Sequence, residues 1–366
     1  MRALLLALAL VLAASCPALA EEALPELKVS YVFTTHHTPL FVAALRGEAF
    51  KSLGNGAYLK TVAPKERYEL MLGDKPVAML DLVVAKSGAE TAALFAQNHV
   101  DLAMASVTAI MAGVDKGTAM KVVAPLQTEG MALVVPKDSD LTDFDSLVAK
   151  AKAAPEPIKI GYHSPTSAPK IVFEGALRQA GVAVTENPSD AAAKVLLVDL
   201  KETTNMIPAL TAKQVDAVVG PSPFPEMAVA KGVGRVAADL RDLPPAGAWR
   251  DYPCCVTVAG GKCIAEHPAA VQAFVDLVVA ANKWCDEHKS EAGALTAEWI
   301  GMPPEAGKAS SLTFLTGFSD SWMRNTGNYL AVLDGMHKFT GQLKGKSMDD
   351  VKPVLFDMRF IEKAKP

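Results

Sequence analysis

The chain has 366 residues, half of them hydrophobic, with 21 % charged residues and a formal net charge of -4. That length is too great for one compact core and suits two lobes. No basic patch or long run of like charge is present, which argues against a nucleic acid as partner.

The first 20 residues read as a secretory signal peptide. Arg2 gives a positive start, Ala3 to Ala14 is an unbroken apolar run, and Ala18-Leu19-Ala20 offers a small-x-small cleavage site before Glu21-Glu22. Cleavage is expected after Ala20. The competing reading is lipoprotein processing at Cys16, because Leu12-Ala13-Ala14-Ser15-Cys16 loosely resembles a lipobox. No later segment is long and apolar enough to be a transmembrane helix. Export would permit disulfides. Cys254, Cys255, Cys263 and Cys285 remain after the leader and allow three full pairings. A bridge from Cys263 to Cys285 is one option, and small buried thiols are the default for Cys254-Cys255.

Lys28 to Phe33 suits a strand, followed by the polar loop Thr34 to His37. Thr38-Pro39 then opens a helix, with Thr as cap and Pro in the first turn. Asp81 to Ala85 is a second strand, and Ser87-Gly88-Ala89-Glu90 has capping-box spacing before a helix to about Asn98. Val100 to Ala105 is a strand, and Ser106-Val107-Thr108 starts the next helix. Met131 to Val135 is expected to cross to a second lobe, where the order restarts. There, strand 158–161 precedes the loop Tyr162 to Ser167, strand 195–200 precedes Lys201 to Asn205, and Cys254 to Ala259 crosses back. The rest is mostly helical.

One pattern occurs twice. Val100-Asp101 begins a short buried strand, a helix closed near Gly117 and a second buried strand from Met120. Val215-Asp216 does the same, with its helix closed near Gly232 and a strand from Val233. Asp and Gly are 16 residues apart in both copies. Two similar α/β units imply two lobes with a cleft between them. The division expected is 21–127 with 258–366 for the first lobe and 128–257 for the second.

Ligands in open α/β sheets sit beyond the carboxyl ends of the strands, where helix N-termini favour anions. The loops there supply the candidate contacts: Thr35, His36, His37 and Thr38; Ser87, Gly88 and Ala89; Ser106 and Thr108; Tyr162, His163, Ser164 and Ser167. The second lobe adds Thr204 and Asn205, then Pro221, Ser222 and Phe224, and the crossing strand adds Cys254. Thr38, Ser87, Ser106 and Ser167 have a plainer use as helix caps. His36 and His37 would bind metal only with further partners such as Glu129 or Cys254, and as neighbours they point in different directions. In extended chain Cys254 and Cys255 would face opposite ways.

These residues, in this order, resemble the nitrate/sulfonate/taurine-type periplasmic solute-binding proteins. Thr38-Pro39-Leu40-Phe41-Val42-Ala43 resembles that family's first helix. Val100-Asp101, Gly117 with Lys121 to Ala124, Leu141 to Leu147, and Ile264 to Pro268 follow with similar spacing, as do the closing helices from Tyr329. The resemblance implies a type II periplasmic-binding-protein fold: two α/β lobes, a double crossover and hinge closure on a small ligand. It also implies a periplasmic monomer that hands its ligand to an ABC permease with a cytoplasmic ATPase. Neither a cofactor nor a resident metal is expected. A sulfonate or another small anionic organic molecule is the ligand class that follows. An aromatic ligand stacking on Tyr162, Phe224 or Tyr252 is the alternative, and a receptor presenting ligand to a membrane sensor is the alternative role. The fold is shared by the thiamine-pyrimidine synthase of yeast, whose CCCFC motif is reduced here to Cys254-Cys255. The chain has no G-x-S-x-G, H-E-x-x-H or Walker loop, so binding without catalysis is expected.

Overall fold

The computed structural model describes residues 23–364, so the readings at Ala20 and Cys16 lie outside the described residues. Strand β1 (Glu26–Tyr31) leads through a 3₁₀ turn (Thr35–His37) into α1 (Thr38–Arg46). Strands β2 (Ala57–Ala63), β3 (Arg67–Leu72) and β4 (Lys75–Val84) then form an antiparallel meander. After it come α2 (Gly88–Ala96), β5 (Leu102–Ser106), α3 (Val107–Asp115) and β6 (Met120–Glu129).

The second half opens with β7 (Met131–Pro136), α4 (Phe144–Ala153), β8 (Ile158–Tyr162) and α5 (Ala168–Gln179). It continues through β9 (Val184–Thr185), β10 (Val195–Asp199), α6 (Met206–Thr211), β11 (Ala217–Pro221), α7 (Phe224–Ala230) and β12 (Gly234–Asp239). The chain returns on β13 (Pro253–Gly260). It ends with α8 (Gly261–Glu266), α9 (Pro268–Glu287), α10 (Lys289–Ile300), α11 (Pro304–Ala309), β14 (Leu312–Phe314), α12 (Asp320–Gly335), α13 (Met348–Leu355) and α14 (Arg359–Lys363). None of these helices is long and apolar enough to cross a membrane.

The strands form two sheets, ordered β14-β6-β13-β5-β1-β4-β3-β2 and β12-β7-β11-β8-β10-β9. The centre of each is parallel: β1 lies between β4 and β5, and β8 lies between β10 and β11. The repeated sequence unit explains the rest. In each copy a strand that crosses between the sheets wedges antiparallel between the two strands of the repeat. Strand β13 lies between β5 and β6, and β7 between β11 and β12.

The Asp and Gly of the repeat have matching jobs. The Oδ2 of Asp101 accepts from the backbone N–H of Lys28 at 2.8 Å, and that of Asp216 accepts from Lys159 at 2.8 Å. Each Asp thus ties the start of its strand to the parallel neighbour. Gly117 and Gly232 end their helices at φ +89° and +67°, the left-handed region in which an L side chain is strained.

Two local expectations are corrected. Thr38 is not a helix cap: its Oγ1 donates to the Thr35 carbonyl at 2.7 Å and lies 2.6 Å from Thr296 Oγ1 on α10. Thr34 instead caps the preceding 3₁₀ turn by accepting from His36 N. Phe41 of α1 stacks on Trp299 of α10 at 5.2 Å, and the Thr38–Thr296 contact joins the same two helices. The four cysteines from Cys254 onward are all free thiols, so Cys263 and Cys285 form no bridge. Both are buried and serve as small apolar groups.

Candidate functional site

The carboxyl ends of β1, β4, β5, β8 and β11 meet between the two sheets around a cavity of about 40 Å³. From the first-sheet side its wall includes Thr34, His36, His37, Ser87, Gly88 and Ser106. From the other side come His163, Ser167, Thr203 and Pro221, and at the back Cys254 and Cys255 of β13. The two sides touch directly. Thr34 Oγ1 donates to the Ser222 carbonyl at 2.6 Å, and Thr35 N donates to the same oxygen. Ser106 Oγ accepts from Ala168 N at 3.3 Å, and Thr108 Oγ1 donates to the Thr166 carbonyl at 2.6 Å. Ser106 therefore makes no cap hydrogen bond within its own helix. It meets the first turn of α5 across the cleft.

The histidines divide their work. His37 Nδ1 accepts from the backbone N–H of Val32 at 3.0 Å, which requires an unprotonated nitrogen there. Burial, and then the charge of His36, pull its pKa down to about 3. His163 is lowered to about 4 for the same two reasons, with burial again the larger. Its Nδ1 is buried without a hydrogen-bond partner.

His36 runs the other way. Its Nε2 lies 2.9 Å from the carbonyl oxygen of Gly130, between β6 and β7. Its Nδ1 faces Cys254 Sγ at 3.3 Å and Cys255 Sγ at 3.8 Å. Burial works against a charged ring, but Cys254 first, then the Gly130 carbonyl and Glu226, outweigh it and raise the His36 pKa. The Cys254 thiol is lowered to about 5, foremost by a hydrogen bond from Cys255, against burial and helped by His36. Cys255 correspondingly keeps its proton. The pair reads as an imidazolium beside a thiolate. Glu226, raised by burial, accepts from Ser222 Oγ at 2.6 Å, and its Oε2 is buried without a hydrogen-bond partner.

Alternation had placed the two cysteine side chains on opposite faces, yet their sulfurs are 4.0 Å apart and both face His36. The cause is a register shift. Strand β13 pairs Pro253 with Thr128 and Cys255 with Gln127, and slips again before Val256, so Cys254 lies in a bulge that rotates it onto its neighbour's side. Glu129 is not a partner of this group; it pairs with Arg241 at 2.8 Å.

Other expected contacts lie elsewhere. Tyr162 turns into its own lobe, where its hydroxyl donates to Glu186 and Lys170 sits 5.5 Å from its ring. Phe224 packs with Met206, Leu210 and Val218. Thr204 and Asn205 are exposed, and Asn205 donates to the Leu200 carbonyl. Their neighbour Thr203 is the residue that the 3₁₀ turn buries at the cavity. Thr35 and Thr38 face a separate crevice beside Ala292 and Gly293. Ala89, Thr108, Ser164 and Ser222 do not line the cavity; the Ser222 carbonyl accepts from Thr34, which does. Residues missed by sequence reasoning are Val32, Thr34, Ala105, Ala168, Pro169, Thr203 and Cys255.

The model of the NMT1-like family matches residues 20–301. The chain belongs to that family. A relative from Methanocaldococcus jannaschii, the uncharacterized protein MJ1180, is 39 % identical over 132 residues, 36 % of this chain and 90 % of that one. Among solved structures, the ligand-binding component of an ABC-type import system from Staphylococcus aureus, with zinc bound, aligns with a TM-score of 0.70. Its identity is 16 %, and the alignment covers 93 % of this chain and 99 % of that one. The alkanesulfonate-binding protein SsuA from Xanthomonas axonopodis pv. citri, bound to MOPS, aligns at 0.66 with 14 % identity over 91 % and 99 %. At those identities the likeness establishes the fold: this NMT1-like chain has the periplasmic-binding-protein fold.

Proposed function

We propose that this protein is an extracytoplasmic solute-binding protein that captures a small ligand between its lobes and delivers it to an ABC permease and its ATPase. The observation that carries this reading is the cavity itself. It lies at the carboxyl ends of strands from both sheets, with the returning strand β13 at its back. The moving bodies are taken as 21–127 with 258–366 against 128–257, which follows the sheet membership to within a few residues except at β13. The chain acts as a monomer behind a leader cleaved after Ala20. The role we read is binding without turnover, on the likeness to ligand-binding components of import systems, although the Cys254–His36 pair has the make-up of an activated thiol.

A sulfonate-like anion as ligand would rest on the N-termini of α2 and α5, whose first residues line the cavity. No Lys or Arg is among the lining residues to add a bidentate partner. A cavity of this size holds a few water-sized groups, so a whole sulfonate enters only with the lobes apart.

The test is ligand-induced closure. Sulfonates, nitrate and metal salts are screened by thermal shift, and any hit is followed by small-angle scattering and by stimulation of the cognate transporter's ATPase in proteoliposomes. A hit that raises the melting temperature, contracts the protein and stimulates ATPase supports the reading. A hit that leaves both shape and ATPase unchanged overturns the transport role.

A further inference from the structure

We propose that His36, Cys254 and Cys255 form a binding site for one thiophilic metal ion of the Cu(I) or Zn(II) class, and that this ion is the solute held in the cleft. The inference deepens the solute-binding reading and rests on it only for the transport role.

The first support is the donor triangle. The three ligand atoms are all buried and lie within 4.8 Å of one another. Sulfur–sulfur is 4.0 Å, and the two sulfur–nitrogen separations are 3.3 and 3.8 Å. With bonds near 2.3 Å to sulfur and 2.0 Å to nitrogen, a trigonal ion requires about 4.0 Å and about 3.7 Å. The triangle is therefore close to a coordinating shape without rearrangement. Thiolate with imidazole selects soft borderline cations over Mg²⁺ or Ca²⁺.

The second support is the outer shell. The Nε2 of His36 donates to the Gly130 carbonyl, which fixes the tautomer and turns Nδ1 toward the sulfurs, the arrangement found around metal-ligating histidines. From the opposite lobe His163 lines the same cavity, with Nδ1 buried and unpartnered. The second lobe thus brings an unused imidazole nitrogen to the wall. The third support is volume: about 40 Å³ suits an ion with a water or two.

The chemistry balances without a redox step. The ion displaces two protons, one shared by the Cys254–His36 pair and one from Cys255, and leaves two metal–thiolate bonds and one metal–imidazole bond. Two thiolates neutralise a divalent ion and leave a monovalent one with a net charge of -1. His36 and both cysteines stand on the first sheet's side of the cleft, so the contact that would couple the ion to closure is the one from His163 across it.

The experiment uses the purified protein under reducing, anaerobic conditions, titrated with Cu(I) against a chromophoric chelator and separately with Zn(II). The expected result is one equivalent bound, with X-ray absorption reporting two sulfurs and one nitrogen, and with both vicinal thiols protected from alkylation. Cys254→Ser, Cys255→Ser and His36→Gln should each weaken binding by about 100-fold or more, beyond the 10–100-fold of outer-shell changes. Circular dichroism confirms that each variant is folded, and alkylation protection in the unmutated protein keeps the test valid where a variant is not. Binding that survives in the folded variants, or a failure of either ion to protect the thiols, overturns the metal site. A sulfonate that closes the protein while neither ion binds overturns it too and leaves the solute-binding reading standing. Tight metal binding at the trio without closure or ATPase stimulation upholds the site and sinks the transport role instead.

Discussion

The Nε2 of His36 lies 2.9 Å from the carbonyl oxygen of Gly130, joining the loop after β1 to the segment that links the two sheets. The backbone of Gly130 also receives the N–H of Ser222 at 2.8 Å. One carbonyl therefore connects the first lobe's cleft loop, the first crossing and the loop after β11. Gly130 has φ +68°, and a Cβ there would come within 2.9 Å of His36 Nε2 and run into Leu312. Gly130→Ala should lower stability by about 1–3 kcal/mol through backbone strain and overpacking, read as a drop in Tm. It should also displace His36, so the Cys254 thiolate loses its imidazolium partner and alkylates more slowly at pH 6. An unchanged alkylation rate would separate the Gly130 contact from His36 positioning.

Closure should depend on hydroxyls that bridge the lobes. Thr34, Ser106 and Thr108 each make one such bond, and a neutral hydrogen bond contributes about 0.5–1.5 kcal/mol net. Thr108→Val removes one donor and keeps the shape. The expected outcome is a two- to tenfold loss of ligand affinity, with hydrogen exchange faster at 164–168 and unchanged in the centre of either sheet. A uniform rise in exchange would mean that the substitution loosens a core instead.

How much of this was legible in the sequence depends on the distance over which each feature is determined. The Val-Asp…Gly repeat was readable because Asp101 and Gly117 act on their own strand and helix end, and so do Asp216 and Gly232. The β2–β3 hairpin escaped notice because its strands mix apolar residues with Lys60, Glu69 and Arg67, whose charges pair at the exposed face. The meeting of His36 with Cys254, 218 positions apart, depends on a bulge that no periodicity marks. Pro253, at the strand's first position, was the one local hint of irregular pairing. Tyr162 and Phe224 looked like stacking surfaces, but the charges of Lys170 and Glu186 and the core around Met206 draw them inward. Thr203 was missed by one residue because a 3₁₀ turn sets which of 203–205 faces in.

The repeat itself makes a quantitative prediction. Asp101→Ala and Asp216→Ala each remove an acceptor from an edge-of-strand N–H at the same 2.8 Å distance. Each should cost about 1–2 kcal/mol, and the double variant should be additive, because the two positions share no partner. Chemical denaturation of the four proteins checks this. A coupling energy well above about 0.5 kcal/mol would mean that the two sites interact energetically across the cleft, and two separate transitions would mean that the lobes unfold independently.

Stability should also fall with acid at a site far from the cavity. Glu186 accepts from the fully buried Lys170 at 2.8 Å and from Lys338 at 3.1 Å. Burial opposes its charge, yet the hydrogen bond and charge of Lys170, then those of Lys338, hold its pKa down to about 2 from an ordinary 4.5. A carboxylate with a depressed folded pKa contributes stability that is fully present above the unfolded value and is lost as pH falls toward the folded one. The window is therefore about pH 4.5 to 2. The carboxylate is partly exposed, so solvent screening reduces its worth to about 1–2 kcal/mol. Glu186→Gln should lower Tm at pH 7, and the gap to the unmutated protein should shrink below pH 4.5 and close only as pH nears 2. Lys338→Met, which removes the smaller partner and leaves Lys170 paired with Glu174, should show the same convergence with a smaller drop. A pH-independent difference would assign the effect of Glu186 to packing around Tyr162 rather than to its charge.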